Sequence, residues 1–485
     1  LAAANAAFQT GLASPLDEAL RAATGDGLLY GWKPLDEIPY DFVRKRLSVL
    51  VEHQGSVHLV TKGAVAQVLE VCGRALDPGG TAVPLDAGAR ARIESTFQSL
   101  SARGLRTLGL AIRELAARRA GRGDETDMTF IGFLSFSDPP KRGAREAMQR
   151  LAALGIQLRI VTGDNRLVAA NAAEAVGIDP VVLTGPELRQ MSSAALVQRV
   201  RDARVFAEVE PHQKERIIGA CRRAGYVVGF LGDGINDAPA LHSADIGISV
   251  EGAVDVAKQA ADIVLLEKDL GVLASGVEEG RKTFVNTLKY VYITSSANFG
   301  NMLSTAVSTL FLPFLPLLPA QILLNNLLSD LPAMSIAGDR VDAEDTLRPR
   351  RWNVRLIRDF TLVFGAISSC FDVLAFAGLL WLHSRVPEFR SAWFLVSLLT
   401  EIVILFVMRT GRPLLRSAPS GLLLASSLTV AAGAGLLLYV PLGGALELVP
   451  PVPPHRARVT AVTVGYLLVS EQVKHWFFRR SVYGT

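Results

Sequence analysis

The chain has 485 residues, half of them hydrophobic and 20% charged, and its mean hydropathy is +0.31. This composition excludes a disordered chain, a collagen-like repeat and a small disulfide scaffold, and the length suggests about two to four domains. Cys72, Cys221 and Cys370 are widely separated with no CxxC spacing, which excludes a cysteine-ligated zinc cluster and gives no reason to expect an oxidising compartment. The net charge of +4 is unevenly distributed: residues 287–485 carry 17 Lys+Arg against 11 Asp+Glu, net +6, which leaves −2 for the rest. A basic excess in the more apolar part points to membrane orientation and away from nucleic-acid binding.

Residues 1–129 contain helical patches at 15–23 and 86–102 and a strand pair near 47–51 and 57–61, which predicts a separate α+β module. Over 130–270, apolar runs at 130–136, 157–161, 205–207, 226–231, 246–250 and 263–266 alternate with helix-like stretches such as 142–154 and 166–176. That alternation predicts a parallel sheet covered by helices. A helix at about 270–289 leads into apolar stretches at 290–312, 318–337, 360–382, 391–408, 421–440 and 459–478. Each is long enough to cross a hydrocarbon core of about 30 Å. Arg340, Arg348, Arg350, Arg351, Arg355 and Arg358 fall in one connecting loop and Arg409, Arg412 and Arg416 in another; Lys474, Arg479 and Arg480 close the chain. Positive residues mark the cytoplasmic side, so the soluble part, both arginine-rich loops and the C-terminus are expected there, with six spans between. The expected fold class is a multidomain α/β protein joined to an all-α membrane region.

The most specific motif is GDGINDAPAL at 232–241, directly after an apolar β run. Asp233 and Asp237 are expected at the carboxyl end of a parallel strand, where α/β sheets place their sites, and two carboxylates beside mobile glycines suit a hard cation such as Mg²⁺. Asn236 can donate to a phosphoryl oxygen. TGDN at 162–165 also stands between a strand and a helix; Thr162, Gly163 and Asp164 with their backbone N–H groups form a candidate phosphate cradle, although TGD is also an ordinary helix cap. Lys214, at the start of a later helix, could neutralise phosphoryl charge.

In this order the three elements resemble haloacid-dehalogenase-like phosphotransfer domains, and more closely the P-type ATPases, whose hinge run is similar to 232–241. DPPK at 138–141 resembles the point where their phosphorylation domain resumes. The resemblance implies a nucleotide-binding domain at 1–135, an incomplete phosphorylation domain at 136–275, and a stalk with six transmembrane helices at 276–485. It implies that Phe42 stacks on adenine and that Arg44, Lys62, Gly63 and Arg106 line the nucleotide site, with Asp17 and Glu18 at the domain's acidic helix start. ATP and Mg²⁺ are the implied cofactors. The DKTGT run carrying the phosphorylated Asp, the actuator domain and the four preceding spans are not in this sequence, so the chain is read as a C-terminal portion whose expected partner is the missing N-terminal half, and as inactive alone.

Polar residues in the spans are the candidates for an ion path, because each is costly in hydrocarbon unless used. Asn298 and Asn301 lie three apart, and Asn326 and Asp330 four apart, each pair on one helical face; Asn325, Asp372 and Glu401 are also present, the last two without an assigned role. Carboxylates with amide oxygens suit a divalent ion, and the spans hold no Cys-Pro-Cys or His pair of the kind a soft-metal pump needs. NFGN at 298–301, FLPFLPLLP at 311–319, LLNNLLSD at 323–330, PRRW at 349–352, ISSCFD at 367–372 and SAWF at 391–394 resemble the bacterial magnesium-transporting P-type ATPases. Membership implies ATP-driven Mg²⁺ import across the bacterial inner membrane. A Ca²⁺ or H⁺ pump, or a non-catalytic nucleotide-binding half of a split pump, are the alternatives.

Overall fold

A computed structural model of the chain describes residues 1–11, 15–24, 29–41, 43–267 and 269–482. It divides into two compact units, one of residues 1–152 with 156–273 and the other of residues 153–155 with 274–485.

After two helices, Ala2–Phe8 and Pro15–Thr24, the first unit contains seven strands: β1 Lys33–Asp41, β2 Arg46–His53, β3 Ser56–Ala64, β4 Cys72–Leu76, β5 Ala82–Pro84, β6 Leu105–Glu114 and β7 Met128–Ser137. They form one sheet in the order β1-β2-β3-β6-β7-β4-β5. The β2–β3 hairpin turns through Gln54 and Gly55, both with positive φ (52° and 87°), and pairs His53 with Ser56. A two-residue turn of this hand matches the strand twist. Period-two alternation then sorts side chains between two covered faces. Leu50, Leu59, Ala111 and Phe130 pack under the Val65–Leu69 helix with Ile93 and Phe97 of the Ala87–Ala102 helix. Val49, Val51, Val60 and Leu110 pack against Ala4 and Phe8 of the Ala2–Phe8 helix. Burial on both faces is why these strands read as continuous apolar runs.

The apolar run 130–136 does not open the parallel sheet. As part of β7 it pairs antiparallel with β6 and parallel with β4. Hydrophobicity marks a strand but not its neighbour. The parallel part comprises two three-stranded sheets rather than one: β8 Ile160–Val161, β9 Val182–Thr184 and β10 Val205–Ala207 in the order β8-β10-β9, and β11 Gly229–Leu231, β12 Ile246–Val250 and β13 Ile263–Leu265 in chain order. The Pro211–Arg223 helix serves both, with Ile217 in the core of the first and Ile218 against Phe230 of the second.

The second unit is helical: Leu270–Ser308, Pro319–Met334, Val354–Trp381, Val386–Met408, Gly421–Leu437 and Pro453–Val482, with short connecting turns. Among the described residues two of these, Val354–Trp381 and Val386–Met408, are long and apolar enough to cross a membrane. The apolar stretch of Val386–Met408 is 78% buried against 44% for Val354–Trp381, so the former is the central helix. Phe376, Phe389, Trp393 and Phe394 form one core cluster of this unit, and Phe360, Phe364, Leu405 and Phe477 another. A buried ion pair fastens the loops: Arg409 Nε lies 2.6 Å from Asp339, and its other nitrogens donate to the carbonyls of Ser417 and Ala418. Lys474 donates to the carbonyls of Val407 and Arg412 and to Glu471.

Candidate functional site

The loop after β8 is organised by its own side chains. Thr162 Oγ1 donates to Asp164 Oδ2 (2.9 Å) and accepts from the Asp164 backbone N–H (3.1 Å). The helix that follows, Arg166–Ala175, is capped by Asn165, whose Oδ1 accepts from the N–H groups of Leu167 and Val168. The cap is therefore Asn165, and Thr162 and Asp164 are not consumed in that role. A Cβ on Gly163 would come no nearer than 3.8 Å to Val209 O, so sterics do not demand glycine there. Arg106, on β6, does not stand alone: its Nε donates to Asp164 Oδ1 at 2.7 Å and its Nη2 lies 2.6 Å from the same oxygen. The structure thus joins the arginine predicted for the nucleotide to the aspartate predicted for the phosphate loop.

After β11, Asp237 is buried and fully engaged. Its Oδ1 accepts from Lys214 Nζ at 2.6 Å, and its Oδ2 accepts from the backbone N–H groups of Asp233 (3.2 Å) and Gly234 (3.0 Å). A Cβ on Gly232 would sit 2.6 Å from the Asp237 Cβ, so this position requires glycine. The Asp233 and Asn236 side chains are exposed and make no hydrogen bond or ion pair among the described residues. Asp237 therefore shapes the turn and holds Lys214, while Asp233 is the carboxylate left available. No group of three or more His, Cys, Asp or Glu residues converges as a metal-ligand set among the described residues. One or two carboxylates are nevertheless what Mg²⁺ takes from a protein when phosphate and water supply its other ligands, and the residues present fit that pattern.

In the large sheet, Lys62 on β3 is buried and ion-paired with Asp17, whose other oxygen accepts from Gln9 Nε2 at 2.6 Å. Burial lowers the Lys62 pKa despite the opposing pull of Asp17. Glu18 is exposed, and Phe42 lies outside the described residues. Gly63 is required by close approach: a Cβ would come 2.5 Å from the Lys45 carbonyl oxygen and 2.7 Å from the Arg46 Cα. Arg44 is held by Glu125 Oε2 (2.6 Å) and donates to the Pro39 carbonyl (2.7 Å). Glu125 was not singled out in the sequence. It is 1% exposed and also accepts from Arg46 Nε (2.8 Å) and Ser48 Oγ (2.7 Å). Burial pushes its carboxyl up, but hydrogen bonds from Arg44, Ser48 and Arg46 outweigh that and hold it below the usual value. Its partners lie roughly 80 positions away in the chain, and no local pattern marks it.

In the helical unit, Glu401 is the centre of a polar cluster. Its Oε1 accepts from Asn301 Nδ2 and, at 3.4 Å, from Asn325 Nδ2. Asn325 also donates to Ser397 Oγ (3.1 Å). Asn298, Ser329, Asp330 and Glu401 line one cleft, with Thr294 and apolar neighbours. Asn326 is exposed and outside that lining; the buried amide is its neighbour Asn325. Asp372 is buried separately and accepts from Ser304 Oγ (2.6 Å) and Trp393 Nε1 (3.0 Å).

A profile described as P-type ATPase, cytoplasmic domain N, matches residues 18–143, and one described as cation transporting ATPase, C-terminus, matches residues 314–476. The chain is 43% identical to a magnesium-transporting ATPase, P-type 1, of Salmonella typhimurium and 42% identical to one of Escherichia coli, in each case over 98% of this chain and 54% of the relative. It is 32% identical to a calcium-transporting ATPase of Bacillus subtilis over 66% of this chain and 37% of that protein. The chain spans about half the length of the magnesium-transporting relatives it matches. With both family profiles and near-complete coverage of its own length, the chain belongs to the P-type ATPases.

Proposed function

We propose that the chain is the nucleotide-binding, phosphoryl-handling and ion-path portion of an ATP-driven pump that imports Mg²⁺ across a bacterial inner membrane. Residues 1–135 form the nucleotide-binding domain, 136–275 the haloacid-dehalogenase-like phosphorylation domain and 276–485 a stalk with six transmembrane helices. The observation that carries this reading is the cleft of Asn298, Ser329, Asp330 and Glu401 beside Asn301 and Asn325. Its donors are all oxygen or amide, two are carboxylates, and none is Cys or His, which suits a hard divalent cation. Glu401 is half-buried among the helices, where a carboxylate is costly unless it pairs or binds an ion, and the exposed Asp330 stands at the mouth of the same cleft. The identity of the Salmonella and Escherichia relatives supports Mg²⁺ as that ion.

In the soluble part, Lys62 and Gly63 line the nucleotide site with Asp17 holding the lysine, and Arg106 links that module to Asp164. Thr162, Gly163 and Asp164 cradle the phosphoryl group, and Lys214 is positioned by Asp237. Asp233 would hold a Mg²⁺ ion accompanying ATP, and that ion would supply neutralisation of phosphoryl charge. Asn236 is free to donate to the phosphoryl oxygens.

ATPase activity of the full-length protein in lipid, measured against free Mg²⁺ at fixed Mg–ATP, tests the reading. Asp330→Asn and Glu401→Gln should each flatten the activation curve while ATP binding persists. Stimulation by Ca²⁺ and not by Mg²⁺ would overturn the ion assignment.

A further inference from the structure

The segment that leads into the Val354–Trp381 helix carries an unusual surface. Leu347, Trp352 and Val354 are large apolar side chains exposed at 56%, 55% and 76%. Between them stand Arg348, Arg351 and Arg355, all exposed and without a hydrogen bond or ion pair among the described residues. The acids nearby are already engaged: Asp345 with Arg350 (2.5 Å), Glu344 with Arg412, and Asp359 with Arg358 (2.7 Å). The segment is nonetheless anchored. Arg281 donates to the carbonyls of Thr346 and Leu347, and Trp352 packs edge-on against Phe284 at 5.6 Å between ring centroids.

Helix length places this surface. Val354–Trp381 has 28 residues and so rises about 42 Å at 1.5 Å per residue. That matches a whole bilayer, headgroups included, of about 40–45 Å. Trp352 just precedes the helix and Trp381, 75% exposed, ends it, so the two indoles stand at the two headgroup levels where tryptophan is favoured. Exposed leucine, valine and tryptophan are costly in water but not at an acyl-chain boundary. Guanidinium groups at the same depth meet phosphate, which they bind in a forked geometry.

We propose that residues 347–355 form a binding surface for anionic phospholipid headgroups, with Arg348, Arg351 and Arg355 meeting the phosphodiester and Trp352 seated at the interface. The proposal rests on the membrane reading given above. Each basic residue near an anionic leaflet strengthens association by about fivefold. The test uses the whole 485-residue chain. Incorporation into bilayer discs is checked first, and a chain that stays outside the discs overturns the membrane reading itself. Native mass spectrometry then titrates the detergent-solubilised chain with phosphatidylglycerol and, separately, phosphatidylcholine. The wild type should prefer phosphatidylglycerol, Arg348→Gln/Arg351→Gln/Arg355→Gln should weaken that binding by on the order of 100-fold, and the corresponding triple lysine variant should stay within a few-fold of wild type. Excess inorganic phosphate should not displace the lipid. Equal phosphatidylglycerol binding by the glutamine variant, or displacement by free phosphate, overturns the proposal.

Discussion

Glu125→Gln is the most demanding perturbation of the domain built on the seven-stranded sheet. Glu125 has no exposed side-chain surface and accepts hydrogen bonds from Arg44 and Arg46, which are 14% and 12% exposed, and from Ser48. Glutamine keeps the shape and one acceptor oxygen, so much of the hydrogen bonding survives. What is lost is the charge that pairs two partly buried guanidiniums. Removing one partner of a fully buried pair costs about 3–5 kcal/mol, and partial exposure of the arginines reduces that to about 2–3 kcal/mol. For a unit of this size the loss corresponds to a melting shift of roughly 4–12 °C. Calorimetric melts of the full chain at neutral pH measure it. The effect has a defined pH dependence. The folded carboxyl titrates below its unfolded value of 4.5, so between the two values the folded state binds fewer protons. The contribution is therefore complete above about pH 4.5 and is lost as pH falls through the folded value. Wild type and Glu125→Gln should differ at neutral pH and converge in acid. Equal melting temperatures at neutral pH, or a gap that widens in acid, would refute the reasoning.

Three further outcomes follow from the geometry. Lys214→Ala and Asp237→Asn should show a coupling of about 1–3 kcal/mol in a double-mutant cycle read by chemical denaturation, because the pair is 2.6 Å apart and largely buried. Gly63→Ala forces a Cβ against the Lys45 carbonyl and the Arg46 Cα, and should cost about 1–3 kcal/mol while weakening ATP binding; unchanged stability would mean that the start of β2 yields easily. Lys62→Ala should lower ATP affinity in titration calorimetry, and Asp17→Asn should lower it less, since it removes the group that positions the lysine and not the cation itself.

Much of this architecture is legible in the residues. The β2–β3 hairpin shows as two β-branched runs joined by Gln54-Gly55, and GDGIND marks a strand end by its glycines, one of which leaves no room for a Cβ. Strand partners are not legible: the run containing Phe130 is equally apolar whether it pairs with β6 or opens a parallel sheet, and β9, three residues long, is too short to carry a period. Side-chain partners far apart in sequence are invisible for the same reason. Arg44 with Glu125 and Arg106 with Asp164 are joined only by tertiary folding. In the helices, spacing puts Asn326 and Asp330 on one face, yet two adjacent asparagines cannot be ranked by periodicity alone, and Asn325 is the buried one. Glu401 was visible as a carboxylate in an apolar run, but its place beside Asn301 and Asn325 depends on which helices pack together.

The most direct test of the account is ATP-driven flux of radiolabelled Mg²⁺ in proteoliposomes containing the full-length protein to which this chain corresponds, wild type against Glu401→Gln. The account predicts Mg²⁺ movement that depends on ATP in the wild type and falls to the background rate in the variant, with ATP binding intact. Wild-type flux through Glu401→Gln, or ATP hydrolysis without any Mg²⁺ movement, would contradict it.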